Sequence, residues 1–293
     1  MRLQLIANPV AGGHARALIQ RAVQRLQSHG AQVELFLTSG RGDAERFAAS
    51  GSAQGFDRIV VAGGDGTVNE VVNGLSAEAP PLAILPLGTT NVLALETGIP
   101  RGIEAACDLA MAGRPTAIHV GLADQRRFVL MAGIGFDARV VHGVDLRLKR
   151  ALGKGAYLVS ACQSWLCPGE QGLTIEDEHG HSHHGYGAII SNARCYGGRF
   201  TLTPQASLFA DTLEVCLILR PGRLTLLVAA VALLRGRPLA APWGKQLRGQ
   251  RFAVTGGELP VQIDGDEAGC LPRVFAVNPF PLQLVLPASS GDR

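Results

Sequence analysis

Ile59-Val60-Val61-Ala62-Gly63-Gly64-Asp65-Gly66-Thr67-Val68-Asn69-Glu70 reads as a buried strand, a glycine turn and the start of a helix. Four apolar residues ending at Ala62 fit a strand of a parallel sheet, and Val68, Val71, Val72 and Leu75 then recur at helical spacing. Gly63, Gly64 and Gly66 remove Cβ atoms and permit positive φ, so main-chain N–H groups can approach a bulky anion. The helix N-terminus adds unpaired donors and partial positive charge. Such a turn suits phosphate. Asp65 is the residue that a bare anion site would exclude; it makes sense where a metal ion, or a ligand hydroxyl or amide, stands between it and the phosphates. The spacing is neither the G-x-G-x-x-G dinucleotide fingerprint nor a P-loop, which needs Gly-Lys-Ser/Thr.

Outward from this turn, residues 1–118 alternate strand and helix. Strands are predicted at 3–7, 32–37, 59–62 and 82–85, and helices at 15–26, 43–49, from Val92 and at 103–111. Repeated βα units with short connections imply a doubly wound parallel sheet. Beyond Ile118 the apolar runs become short and β-like, at 117–120, 127–132, 173–176, 186–191, 212–219, 250–255, 260–264 and 282–286. Only 151–166 and 224–234 read as helices there. The expectation is an α/β plus β protein: a nucleotide-binding domain over 1–118, then a mainly antiparallel β domain over 119–293.

A chain of 293 residues with 47% apolar and 17% charged content has the core of a globular protein, and a net charge of +3 is too weak to imply nucleic acid. MRLQLIANP reads as a first strand, its apolar part being too short for a signal peptide. Cysteines 107, 162, 167, 195, 216 and 270 contain no C-x-x-C pair and read as reduced thiols of a cytosolic protein. The longest apolar run, 224–234, covers about half a membrane span, which suits a buried or interfacial helix.

Two further turns follow predicted strands. Asn8-Pro9-Val10-Ala11-Gly12-Gly13 succeeds the first, and Leu87-Gly88-Thr89-Thr90-Asn91 the fourth, with Asn91 placed to cap the helix from Val92. Parallel strands present their C-terminal ends on one edge, where open α/β folds bind ligands. The three turns are expected to line one crevice.

NPVAGG, Thr38 in TSGRGDA, GGDGTVNEVVNG and LPLGTTNVLA resemble, in order and spacing, the nucleotide-contacting motifs of the diacylglycerol kinase catalytic-domain family, which includes bacterial lipid kinases and sphingosine kinases. AGIGFDARVV, ALGKGAYLVS, ISNARCYGGRFTLTPQASL and VQIDGDEAG continue the resemblance, which covers nearly the whole chain. NAD kinases share the GGDGT turn but not the NPxxG opening or the second half. The resemblance implies a first domain of the NAD kinase/phosphofructokinase kind and a C-terminal β-sandwich. It also implies ATP-binding residues Asn8, Pro9, Gly12, Thr38, Gly63, Gly64, Asp65, Gly66, Thr67, Asn69 and Thr89, with Asp65 organising the Mg²⁺–phosphate unit. The Asp264-Gly265-Asp266-Glu267 turn would otherwise read as a surface β-turn; the family's corresponding turn holds the general base, here Asp264 or Asp266. Asp137 falls at the position of an acid near the acceptor pocket, though an isolated Asp could equally cap a helix. The basic run Arg147, Lys149, Arg150 and Lys154 reads as a solvated face or, functionally, as a contact for anionic lipid headgroups or ATP phosphate. A structural Mg²⁺ would involve Ser207 and Asp211, although Ala210 stands where relatives carry Asp. His179, His181, His183 and His184 lie at a hairpin tip without helical metal-ligand spacing and read as an exposed turn.

The implied function is transfer of the γ-phosphate of Mg-ATP to a hydroxyl of diacylglycerol or a related lipid. The protein is expected in the cytoplasm, in peripheral contact with the inner face of the membrane, with homodimerisation left open. The alternatives are a nucleotide-sensing regulator that transfers nothing and a soluble small-molecule or NAD kinase.

Overall fold

The computed structural model describes residues 1–51, 54–142 and 171–288. The chain forms two compact units. One comprises Met1–Val120, Gly197–Arg199 and Pro279–Arg293; the other comprises Gly121–Tyr196 and Phe200–Asn278.

The first unit runs β1 (Arg2–Ala7), α1 (Ala15–Ser28), β2 (Gln32–Leu37), α2 (Asp43–Gly51), β3 (Arg58–Gly63), α3 (Asp65–Gly74), β4 (Leu82–Pro86), α4 (Val92–Thr97), α5 (Ile103–Ala112) and β5 (Arg114–Ile118). In α1, Ala15, Ile19, Ala22 and Leu26 are buried at helical spacing and pack with α5 on Leu3, Leu5, Val60, Ala62, Ala83 and Leu85 of the sheet. The opposite face carries α2 and α3, and buried Gln4 donates to Phe47 O of α2 at 2.7 Å. Helices on both faces make the unit doubly wound.

The second unit runs β6 (Gly121–Ala123), β7 (Arg126–Phe128), β8 (Met131–Ile134), α6 (Phe136–His142), β9 (Leu173–Asp177), β10 (Ser182–Gly185), β11 (Gly187–Ser191), β12 (Cys195–Tyr196), β13 (Phe200–Thr201), β14 (Leu213–Ile218) and α7 (Arg223–Leu234). β15 (Gly244–Gly249), β16 (Arg251–Thr255), β17 (Pro260–Ile263), β18 (Asp266–Cys270) and β19 (Arg273–Val277) complete it. Two antiparallel six-stranded sheets, β10-β9-β16-β19-β6-β7 and β15-β14-β11-β8-β17-β18, share one core. Phe128, Ile175, Phe252 and Phe275 from one sheet meet Ile134, Ile190, Val215 and Val261 from the other, which makes a β-sandwich.

The last strand, β20 (Leu282–Leu286), departs from the expectation that 119–293 is one domain. It returns to the first sheet, order β2-β1-β3-β4-β20-β5, parallel to β4 and antiparallel to β5. β5 also lies earlier than expected, ending at Ile118. An alternating apolar run marks a strand but not its partner, so neither strand's pattern betrayed its sheet. The expected strand 127–132 is broken, because Val129 and Leu130 form a bend between β7 and β8. The expected helix 151–166 and the basic residues Arg147, Lys149, Arg150 and Lys154 lie outside the described residues.

Asp108 of α5 accepts from Arg25 Nε and a second guanidinium nitrogen at 2.8 and 2.9 Å and pairs with His29 at 2.8 Å, tying α5 to α1. The Arg25 hydrogen bonds, with His29, hold the Asp108 carboxyl down to about 2. Because the folded value lies below an unfolded one of about 3.9, this contribution is present above about pH 4 and lost as pH falls through about 2. Urea midpoints of wild type and Asp108→Asn should differ at pH 7 and converge near pH 2; an equal gap at both would contradict the linkage.

Candidate active site

β1, β3 and β4 are neighbours in register at their C-terminal ends: Ala7 lies opposite Ala62, Ala62 opposite Leu85, and Gly63 opposite Pro86. The three glycine turns therefore leave one edge side by side, and they touch. Asn8 N donates to Ala62 O at 2.9 Å, and Asn8 Nδ2 donates to Thr67 Oγ1 at 3.2 Å. Asn8 Oδ1 in turn accepts from Val10 N at 3.0 Å, which shapes the turn holding Pro9 and Gly12. A Cβ on Gly12, where φ is +83°, would lie 2.7 Å from Leu87 O. A Cβ on Gly88 would lie 2.6 Å from Gly64 Cα, and one on Gly63 would meet the Thr67 side chain at 2.6 Å. Real Cβ atoms do not come so close, so these approaches exist only because the three residues are glycine.

Thr38 follows β2 on the far side of β1, its N–H donating to Ala7 O at 2.9 Å. In the same TSGRGDA segment Asp43 accepts from Ser39 N, Ser39 Oγ and Gly40 N, and the Ser39 bonds hold its carboxyl down to about 2. Gly66 and Thr89 are exposed. Asn69 is buried on α3 and accepts from Asn73 Nδ2 at its carbonyl and at Oδ1.

Asp65 has a structural job beside the one expected. Its carboxylate accepts from Val92 N at 2.9 Å and Leu93 N at 3.2 Å, the first amides of α4. Val92 and Leu93 are buried, so these amides need a protein partner. Burial pushes the Asp65 carboxyl up, and the two amides partly offset the rise. Asn91, expected to cap α4, instead adopts φ +50° and donates its Nδ2 to Gly88 O at 2.7 Å. Its buried Oδ1 has no hydrogen-bond partner. The cap thus comes from the neighbouring turn. Each Asp65 oxygen carries one main-chain amide and keeps a further lone pair, so the cap leaves room for a ligand-side role as well.

In the second unit, Asp264 and Gly265 join β17 to β18 as a two-residue loop with φ +50° and +87°, the pattern of a type I′ turn. Asp264 accepts from Val129 N at 2.7 Å and from Leu130 N and Met131 N at 2.9 Å. Asn192 Nδ2 holds Val129 O at 2.8 Å, so the bend that breaks the expected strand is gripped at its amides and at a carbonyl. Asp266 opens β18 and is exposed. Asp137 accepts from Gln262 Nε2 at 2.7 Å and from the Tyr196 hydroxyl, and Gln262 Oε1 accepts from Gly265 N at 2.8 Å. A continuous polar chain therefore links Asp137 to the acid turn. Burial pushes both the Asp137 carboxyl and the Tyr196 phenol up.

Sequence reasoning missed Gln262, Tyr196 and Asn192. Gln262 had a signal, a polar residue in an otherwise apolar strand; Tyr196 and Asn192 lie in the ISNARCYGGRF motif, which marked the segment but not their partners. Ser207 Oγ accepts from Phe209 N at 3.2 Å, and Asp211 accepts from Gln250 Nε2 at 2.9 Å. That single, already bonded carboxylate does not fit the expected structural Mg²⁺. Among the described residues no three His, Cys, Asp or Glu side chains are grouped to hold a metal ion.

Residues 2–123 match the model of the diacylglycerol kinase catalytic domain, and residues 131–286 match the YegS C-terminal NAD kinase beta sandwich-like domain. Curated relatives include the diacylglycerol kinase of Bacillus subtilis, 28% identical over 100% of this chain and 98% of its own. A probable lipid kinase YegS-like of Pseudomonas putida is 32% identical over 93% and 91%. The fold matches the crystal structure of a putative diacylglycerol kinase from Bacillus anthracis with a TM-score of 0.83, at 23% identity over 99% of this chain and 98% of that one.

Asp65→Ala should leave the chain folded but uncap α4, lowering stability by about 1–2 kcal/mol. Amide hydrogen exchange at Val92 and Leu93 should accelerate. Unchanged protection at both would refute the cap.

Proposed function

Because the chain belongs to the diacylglycerol kinase catalytic-domain family of lipid kinases, we propose that it transfers the γ-phosphate of ATP to a hydroxyl of diacylglycerol or a related lipid. The enzyme class follows from the family: it is a phosphotransferase with an alcohol acceptor. The triphosphate site is assigned to the β1, β3 and β4 turns, with Asn8, Pro9, Gly12, Gly63, Gly64, Gly66, Thr67 and Thr89 around it and Thr38 beside them. The approach of Gly64 to Gly88 carries this assignment. Side-chain-free backbone at neighbouring strand ends leaves room for phosphate oxygens against main-chain N–H groups. Mg²⁺ would enter as the ion accompanying the triphosphate, with Asp65 at the same edge to help organise the metal–phosphate unit.

The base is Asp266. Three main-chain amides occupy the Asp264 carboxylate, leaving it a brace for the bend at Val129–Leu130, whereas Asp266 is exposed one residue beyond the turn. Asp266 takes the proton of the lipid hydroxyl as its oxygen attacks the γ-phosphorus. The bond from that phosphorus to the bridging oxygen breaks, and ADP leaves. Positioning and charge complementarity supply most of the acceleration, and the base about 10²–10⁴-fold. Asp137, Tyr196 and Gln262 hold the base of the acid turn through Gly265.

A lipid-panel assay with labelled ATP, read by mass spectrometry, identifies the acceptor. Asp266→Asn should lower turnover by about 10²-fold or more with an unchanged melting temperature, while Asp264→Asn should lower the melting temperature as well. Near-normal turnover in Asp266→Asn would overturn its role. ATP binding with no transfer to any lipid would instead favour a nucleotide-sensing regulator.

A further inference from the structure

Helix α7 is almost entirely apolar, yet Thr225 is its one buried residue. Leu224, Leu227, Val231 and Leu234 are 59%, 54%, 37% and 72% exposed. Their spacing of three, four and three residues aligns them in one stripe along the helix. Single exposed leucines are ordinary; four in a row on one face form a patch that calls for a partner.

The charges around the helix identify that partner. Arg220 and Arg223 stand at its N-terminal end, Arg235 and Arg237 at its C-terminal end, and Lys245 follows. No Asp or Glu occurs from 215 to 257. The Arg220 guanidinium lies 5.3 Å from the centroid of the Trp243 ring, placing an aromatic amphipathic side chain beside the basic end. The short strand β13, with Phe200 41% exposed, lies next to α7. A second copy docked stripe to stripe would set arginines against arginines in either orientation, since both ends are basic. An anionic lipid surface complements both features at once, with acyl chains for the stripe and headgroup phosphates for the cations. At twelve residues α7 is too short to span a bilayer, and no described helix is long and apolar enough to do so.

We propose that α7 is the membrane-docking element of this protein, lying in the headgroup region of an anionic bilayer with Leu224, Leu227, Val231 and Leu234 inserted. The lipid-kinase reading supplies the purpose, because a diacylglycerol acceptor resides in the bilayer, but the docking itself is measured without any acceptor.

The test is co-sedimentation with phosphatidylglycerol–phosphatidylcholine vesicles and with phosphatidylcholine vesicles, both free of diacylglycerol. The wild type should bind the anionic vesicles far more tightly. Arg235→Ala/Arg237→Ala should weaken that partitioning roughly 25-fold, about fivefold for each basic residue near the surface. Leu227→Glu/Val231→Glu, at exposed positions, should abolish it while keeping the melting temperature and the turnover of a soluble short-chain acceptor. Wild-type sedimentation of the double-Glu variant would overturn the proposal. So would a wild-type dimer that this variant splits, by light scattering, with vesicle binding unchanged; the stripe would then join two copies. Vesicle binding through α7 with no phosphate transfer to any lipid would uphold docking and sink the kinase reading instead.

Discussion

The hydrogen bonds from Val92 N and Leu93 N to the Asp65 carboxylate hold the β3 and β4 turns together. α4 begins in buried surroundings, and its first amides have no helical acceptor. Asp65 reaches across from the β3 turn to supply one, which brings the β4 turn against the β3 turn until Gly88 meets Gly64. Asn91, released from capping, adopts a left-handed conformation and closes its own turn onto Gly88. Remove the carboxylate and the cost falls on two buried amides and on the spacing of two turns.

The same device recurs. Asp43 gathers the amides of Ser39 and Gly40, and Asp264 those of Val129, Leu130 and Met131. In each case a carboxylate satisfies main-chain donors that a bend or helix start leaves unpaired, an arrangement stronger than a neutral hydrogen bond. In the proposed reaction the chemistry of the acid turn falls to Asp266, which has the exposure a proton acceptor for an incoming hydroxyl requires. Asp264 and Gly265 set its position through the tight β17–β18 turn, and Gln262 anchors that turn to Asp137.

Much of this was legible in the residues. Alternating strand and helix signals gave the doubly wound sheet, and the three glycine turns gave the edge, because three at consecutive strand ends are harder to dismiss as connectors than one. What escaped depends on partners distant in sequence. Nothing in 282–286 says that β20 crosses back to pair with β4 and β5. Nothing at Asp65 or Asp264 distinguishes a carboxylate meant for a ligand from one meant for backbone amides 27 or 135 residues away. The exposure of the α7 stripe was equally hidden, since apolar residues at 224–234 read the same whether covered or bare.

The central claim is that the contact of the β3 and β4 turns forms the nucleotide site. Calorimetric titration of a non-hydrolysable ATP analogue into wild type and Gly88→Ala tests it most directly, since the added methyl must push Gly64 away without touching any proposed catalytic group. The account predicts affinity weakened about tenfold or more in a chain that remains folded. Equal affinity in the two proteins would contradict it.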